Sequence, residues 1–119
     1  MDIPRVTQLR DFLATLPPSS FDMSIWGTYE SCHTAVCIGG WAVRLFNLKQ
    51  PPLRGLFVKL IAGEKLVADH LGLTEDQADA LFYPPNYKEH YYPLQQAVAI
   101  LDHLLETGEV DWTVGAGSV

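Results

Sequence analysis

The sequence predicts a mainly α fold: a compact single-domain bundle of about five helices around a buried central helix. Three observations lead there. Apolar residues recur at helical spacing along most of the chain. Glycine and proline punctuate that pattern where helices should stop. The 119 residues are 48% hydrophobic and 18% charged, enough apolar content for one packed core.

The elements follow in order. Asp2 can cap a first helix, with Pro4 in the first turn where a missing N–H costs nothing. Val6, Leu9, Leu13 and Leu16 then share one helical face, and Pro17-Pro18 ends the helix. Residues 19–31 carry no clear period, although Phe21, Met23 and Ile25 alternate and fit a short extended segment. A second helix is expected from about Thr34 to Phe46. It is apolar on nearly every side, which marks a buried central helix wrapped by the first and last helices and places Trp41 in the core. Gly39-Gly40 falls in its middle, a position that costs helix stability unless a backbone or ligand approaches closely. Residues 56–61, Leu-Phe-Val-Lys-Leu-Ile, fit a strand or the start of a helix, and six residues are too few for periodicity to decide. From Glu64 the pattern is helical up to Gly72. Thr74-Glu75-Asp76-Gln77 is a capping box that opens a short helix through Leu81 and Phe82. An aromatic, proline-rich loop spans 83–93. The last helix runs from about 94 to 107 and stops at Gly108. Residues 1–112 thus form one domain, with 113–119 as a flexible tail.

Composition excludes several classes. Fourteen acidic residues against eight Lys and Arg give a net charge of −6. A protein that tracks phosphates shows the opposite balance, so sequence-specific nucleic-acid binding is not expected. No apolar run reaches the ~18–20 residues of a membrane span. The N-terminus has no basic region followed by an apolar stretch, so no signal peptide is expected. Two cysteines do not make a disulfide scaffold. The expectation is an acidic, soluble, cytoplasmic protein without a cofactor. The oligomeric state stays open.

The segment Cys32-His33-Thr34-Ala35-Val36-Cys37-Ile38-Gly39-Gly40-Trp41 is the most unusual. Cys32, at or just before a helix N-terminus, has the setting that stabilises a thiolate. Cys32, His33 and Cys37 could also hold zinc with a fourth ligand from His70, His90 or His103, although a four-residue gap between cysteines is not the usual knuckle spacing. The simplest reading makes Cys37 a small buried hydrophobe. No catalytic residue and no metal site is assigned.

Around this segment the chain resembles a known group. Phe21-Asp22-Met23-Ser24-Ile25-Trp26, then Cys32 through Trp41-Ala42, then Leu71-Gly72-Leu73-Thr74 with Gln77-Ala78 and Leu81-Phe82, is similar to a family of small uncharacterised proteins from bacteria and their phages. The chain departs from that family's pattern at His33, where glycine is usual, and at Gly39, where alanine is frequent. The resemblance spans roughly residues 21–84. It implies a phage or mobile-element setting and no particular activity.

Three further features bear on function. Residues 68–78 have the outline of a helix-turn-helix, but the second helix would present Glu75, Asp76 and Asp79 to phosphate, which favours a capped helical corner instead. Tyr83, Tyr87, His90, Tyr91 and Tyr92 form a proline-bracketed aromatic set suited to a recognition surface. Arg44 and Trp26 are candidate partners for an anionic or aromatic ligand. The preferred expectation is a non-enzymatic protein that binds a macromolecular partner, a protein, through the tyrosine loop and neighbouring acidic surface. The alternatives are a small-molecule, nucleotide-type binding or sequestering protein, and a Cys-dependent enzyme or metal-binding protein.

Overall fold

Five α-helices build the described part of the chain. The computed structural model describes residues 1–23, 37–48, 56–86 and 90–114, with backbone only for 56–63. The helices are α1 (Ile3–Ala14), α2 (Ile38–Leu45), α3 (Leu56–Leu71), α4 (Glu75–Phe82) and α5 (Leu94–Thr107). The radius of gyration is 13.3 Å, against about 13.5 Å for a compact domain of this length.

α1 forms as its sequence dictates. The Asp2 carboxylate accepts from the Arg5 amide at 3.1 Å, and Pro4 occupies the first turn. Val6, Leu9 and Leu13 are fully buried, each contributing ~1.5–3 kcal/mol of apolar burial. They face α5, whose Leu94, Ala97, Ile100, Leu101 and Leu104 are also buried. This α1–α5 seam is the most extensive helix pairing among the described residues. Arg10 reaches Asp102 across its outer edge at 2.7 Å.

The central helix is shorter than the sequence predicts. α2 begins at Ile38, with Cys37 as its N-cap; residues 34–36 lie outside the described residues. Gly39 and Gly40 therefore stand in the first turn, not mid-helix, and the Gly40 N–H donates to Cys37 Sγ at 3.4 Å. Ile38, Gly39, Gly40, Ala42 and Val43 are buried, as a central helix requires. Its principal neighbours are α1, α3 and α4 rather than the last helix. Trp41 is half-buried rather than a core residue. It lies over Phe12 at 5.7 Å between ring centroids, and its indole N–H donates to the Ser20 carbonyl at 2.7 Å.

Residues 56–61 are helical: they open α3, which runs unbroken for 16 residues. The extended segment expected at 21–25 is described only to Met23. Phe21 has extended backbone, and Phe21 and Met23 are buried on either side of a half-exposed Asp22.

Between α3 and α4 the chain turns at Gly72, whose φ is +67°. Thr74 Oγ1 accepts from the Gln77 amide at 3.1 Å, and Gln77 Oε1 accepts from the Thr74 amide at 2.9 Å. The capping box is thus complete, and the capped helical corner holds. Gln77 also donates through Nε2 to the Gly108 carbonyl at 2.8 Å. The chain beyond α5 is tied down further than the sequence predicts. Buried Gln96 donates to the Trp112 carbonyl at 2.6 Å, and the Trp112 indole donates to Ala80 at 2.7 Å. Val114 packs against the core as well. Residues 115–119 lie outside the described residues.

Candidate functional site

α3 and α4 diverge from the Gly72 corner and leave an open cleft of about 380 Å³ between them. Both walls follow from helical spacing. Glu64, Lys65, Ala68 and Asp69 stand one turn apart on α3, and Glu75, Ala78 and Asp79 do so on α4. Leu73 closes the corner end, so small and apolar residues line part of a cleft that also carries four carboxylates and one ammonium.

Glu64 is the most constrained of these groups. The Tyr83 hydroxyl donates to Glu64 Oε2 at 3.0 Å. Burial raises the Glu64 pKa, the Tyr83 hydrogen bond opposes that rise, and the hydrogen bond with Asp79 and the charges of Asp79 and Glu75 reinforce it. Glu64 thus gives up its proton less readily than an ordinary carboxyl. Tyr83 is also the C-cap of α4. The root of the aromatic loop is thereby fastened to the acidic wall.

The structure divides the tyrosine set. Tyr92 is buried, its ring edge-on to His90 at 4.6 Å and to Trp112 at 5.0 Å. Its hydroxyl donates to the Pro85 carbonyl, and burial raises its pKa. Tyr92 belongs to the core. Tyr83 is half-buried and engaged with Glu64. Tyr91 is 68% exposed, the most exposed large hydrophobic among the described residues. His90 is exposed, and its amide donates to the Asn86 carbonyl at 2.7 Å. Tyr87 lies outside the described residues, as do Trp26, Cys32 and His33. The Arg44 guanidinium lies over the Trp41 ring, 5.1 Å from its centroid, and Arg44 is not among the residues that line the cleft.

Cys37 is fully buried. Its thiol is pushed up to about 12 by burial, against the lowering effect of the backbone N–H groups of the first turn. That environment suits a small apolar residue, and it is the reverse of what a thiolate nucleophile needs. Among the described residues no three His, Cys, Asp or Glu side chains are grouped to hold a metal ion. His70 packs against Phe46, the two rings tilted at 51° with centroids 4.5 Å apart.

Sequence reasoning found the acidic residues of α4 but missed Glu64, Lys65 and Asp69 as their counterparts. The signal was present: Glu64, Ala68 and Asp69 repeat at helical spacing beyond a glycine corner from Glu75, Ala78 and Asp79. The arrangement offers negative charge over a partly apolar surface. It attracts cations and repels phosphate, and no His, Cys or Ser is among the described residues of the lining. Compared with known proteins, the chain matches no family model, no curated protein and no solved structure.

Proposed function

We propose that the chain is a non-enzymatic binding protein that engages a basic segment of a partner protein through the α3–α4 cleft and the aromatic loop beside it. One observation carries this reading. The cleft sets Glu64, Asp69, Glu75 and Asp79 against a single lysine, over Ala68, Leu73 and Ala78. Such a surface accepts an arginine or lysine stem along its apolar part and pairs the charged head at its rim. The overall charge of −6 would steer a basic partner toward it. Tyr91, exposed on the loop that Tyr83 anchors, adds contact area at low entropic cost. The phage or mobile-element setting implied by the sequence resemblance is compatible with this role. A nucleotide is disfavoured because its phosphates would meet the carboxylates.

The test is a titration of ¹⁵N-labelled protein with a short peptide of alternating arginine and leucine. The amides of Ala68, Leu73 and Ala78 should shift together, and added salt should weaken the effect. Glu75→Gln combined with Asp79→Asn should abolish it, and Tyr91→Ala should weaken it. Shifts scattered over the surface, or shifts that survive the double substitution, refute the reading.

A further inference from the structure

The end of α3 farthest from Leu56 is covered by the start of the chain. The Asp2 N–H donates to the Leu71 carbonyl at 2.8 Å. Arg5 Nη1 donates to the His70 carbonyl at 2.9 Å, so two of the carbonyls left without helical partners at this terminus are satisfied from α1. The segment fits closely: a Cβ on Gly72 would stand 3.0 Å from the Asp2 nitrogen. Beneath it the His70 ring packs on Phe46, just after α2, at 4.5 Å between centroids. His70 Nδ1 lies 3.4 Å from Arg5 Nη1.

A guanidinium carries donors and no acceptor. The contact with Nδ1 is therefore favourable only when that nitrogen holds a lone pair, which requires a neutral ring protonated at Nε2. We propose that His70 is a pH-sensitive latch: protonation of its ring drives off Arg5 and releases the N-terminal segment from the α3 terminus. In the protonated state Nδ1–H would face the guanidinium donor to donor, and two cations would share one contact. The favourable field of the α3 C-terminus does not rescue the pair, because Arg5 already occupies the His70 carbonyl.

The surroundings agree in sign. From α1, the charges that bear on the ring are Arg5 and Asp2; from the end of α2 it meets the Phe46 ring. Burial lowers the His70 pKa, Arg5 lowers it further, and Asp2 opposes both, with a net value below the ordinary 6.5. The neutral ring is thus favoured in the closed state. The latch is closed above pH 6.5 and loosens as pH falls through the lowered value. This device is independent of what the α3–α4 cleft binds.

An NMR titration of the full chain from pH 7.5 to 5 tests it. The His70 ring should titrate with a midpoint below 6.5. The Asp2 amide and Arg5 Nε signals should move with that same midpoint. Protection of the Asp2 amide from exchange should fall through the step, tenfold for each unit by which the closed latch lowers the His70 pKa. His70→Gln should abolish the step. Arg5→Gln, at an exposed position, should raise the His70 midpoint by removing the facing cation. A midpoint at or above 6.5 overturns the proposal. So does an Asp2 amide indifferent to the His70 step, or a midpoint unmoved by Arg5→Gln.

Discussion

A thiol at the start of a helix is ordinarily activated, and at Cys37 burial reverses the sign. The N–H groups of Gly39 and Gly40 favour the thiolate, but a fully buried sulfur loses more by giving up hydration than those dipoles return. With burial pushing the thiol up to about 12, the neutral form prevails throughout the physiological range. In a Cys32→Ser background, Cys37 should therefore resist Ellman's reagent in the folded protein and react promptly in denaturant. Rapid reaction under native conditions would mean that the core opens at the start of α2. Tyr91 and Tyr92 make the same point about environment. They are adjacent and chemically identical, yet one is exposed and the other packs on Trp112. Between prolines no periodicity assigns them to faces, so the sequence could group the tyrosines but not sort them.

At the scale of elements, caps and turns decide where helices begin and end. Gly72 and Gly108 both adopt positive φ, +67° and +79°, a conformation that costs an L-residue roughly 1–2 kcal/mol. They differ in what surrounds them. A Cβ at Gly108 meets nothing within 4 Å, whereas at Gly72 it would press on Asp2 and Met1 backbone. Gly72→Ala should destabilise clearly more than Gly108→Ala in urea unfolding, and only Gly72→Ala should also disturb the Asp2 amide. Equal losses would show that the N-terminal segment does not lie against the corner. These local signals explain why so much of the fold was legible in advance. The α1 cap, the Thr74–Gln77 box and the Gly108 stop are each written within a few residues. The start of α3 was not, because a mostly apolar run of six residues fits either helix or strand until tertiary packing chooses. The beginning of α2 was misplaced because an all-round apolar run gives no phase from which to locate a terminus. The N-terminal latch was hidden for a different reason: it joins residues 65 positions apart in sequence, and only the crossing of α3 with α1 brings them together.

Over the whole molecule, a net charge of −6 makes folding itself sensitive to pH wherever carboxylates are held close. Glu64 concentrates that effect. Burial first, then Asp79 and Glu75, raise its pKa above the ordinary 4.5, with Tyr83 pulling the other way. The folded chain thus holds the Glu64 proton more tightly than the unfolded chain does. Between pH 4.5 and the raised value the folded state binds more protons, so this group's contribution to stability is present below 4.5 and declines as pH rises through the window. Glu64→Gln removes the ionisation but keeps an oxygen that can accept from Tyr83. The variant should be more stable than wild type at pH 7, and the difference should shrink toward pH 4 as wild-type Glu64 becomes protonated. His70 works with the opposite sign, losing stability as pH falls below 6.5. Chemical denaturation of wild type, Glu64→Gln and His70→Gln at pH 4, 5.5 and 7 separates the two. Parallel curves for Glu64→Gln and wild type would mean that the carboxyls of the cleft do not repel one another. The cleft would then lack the concentrated negative field on which recognition of a basic partner depends.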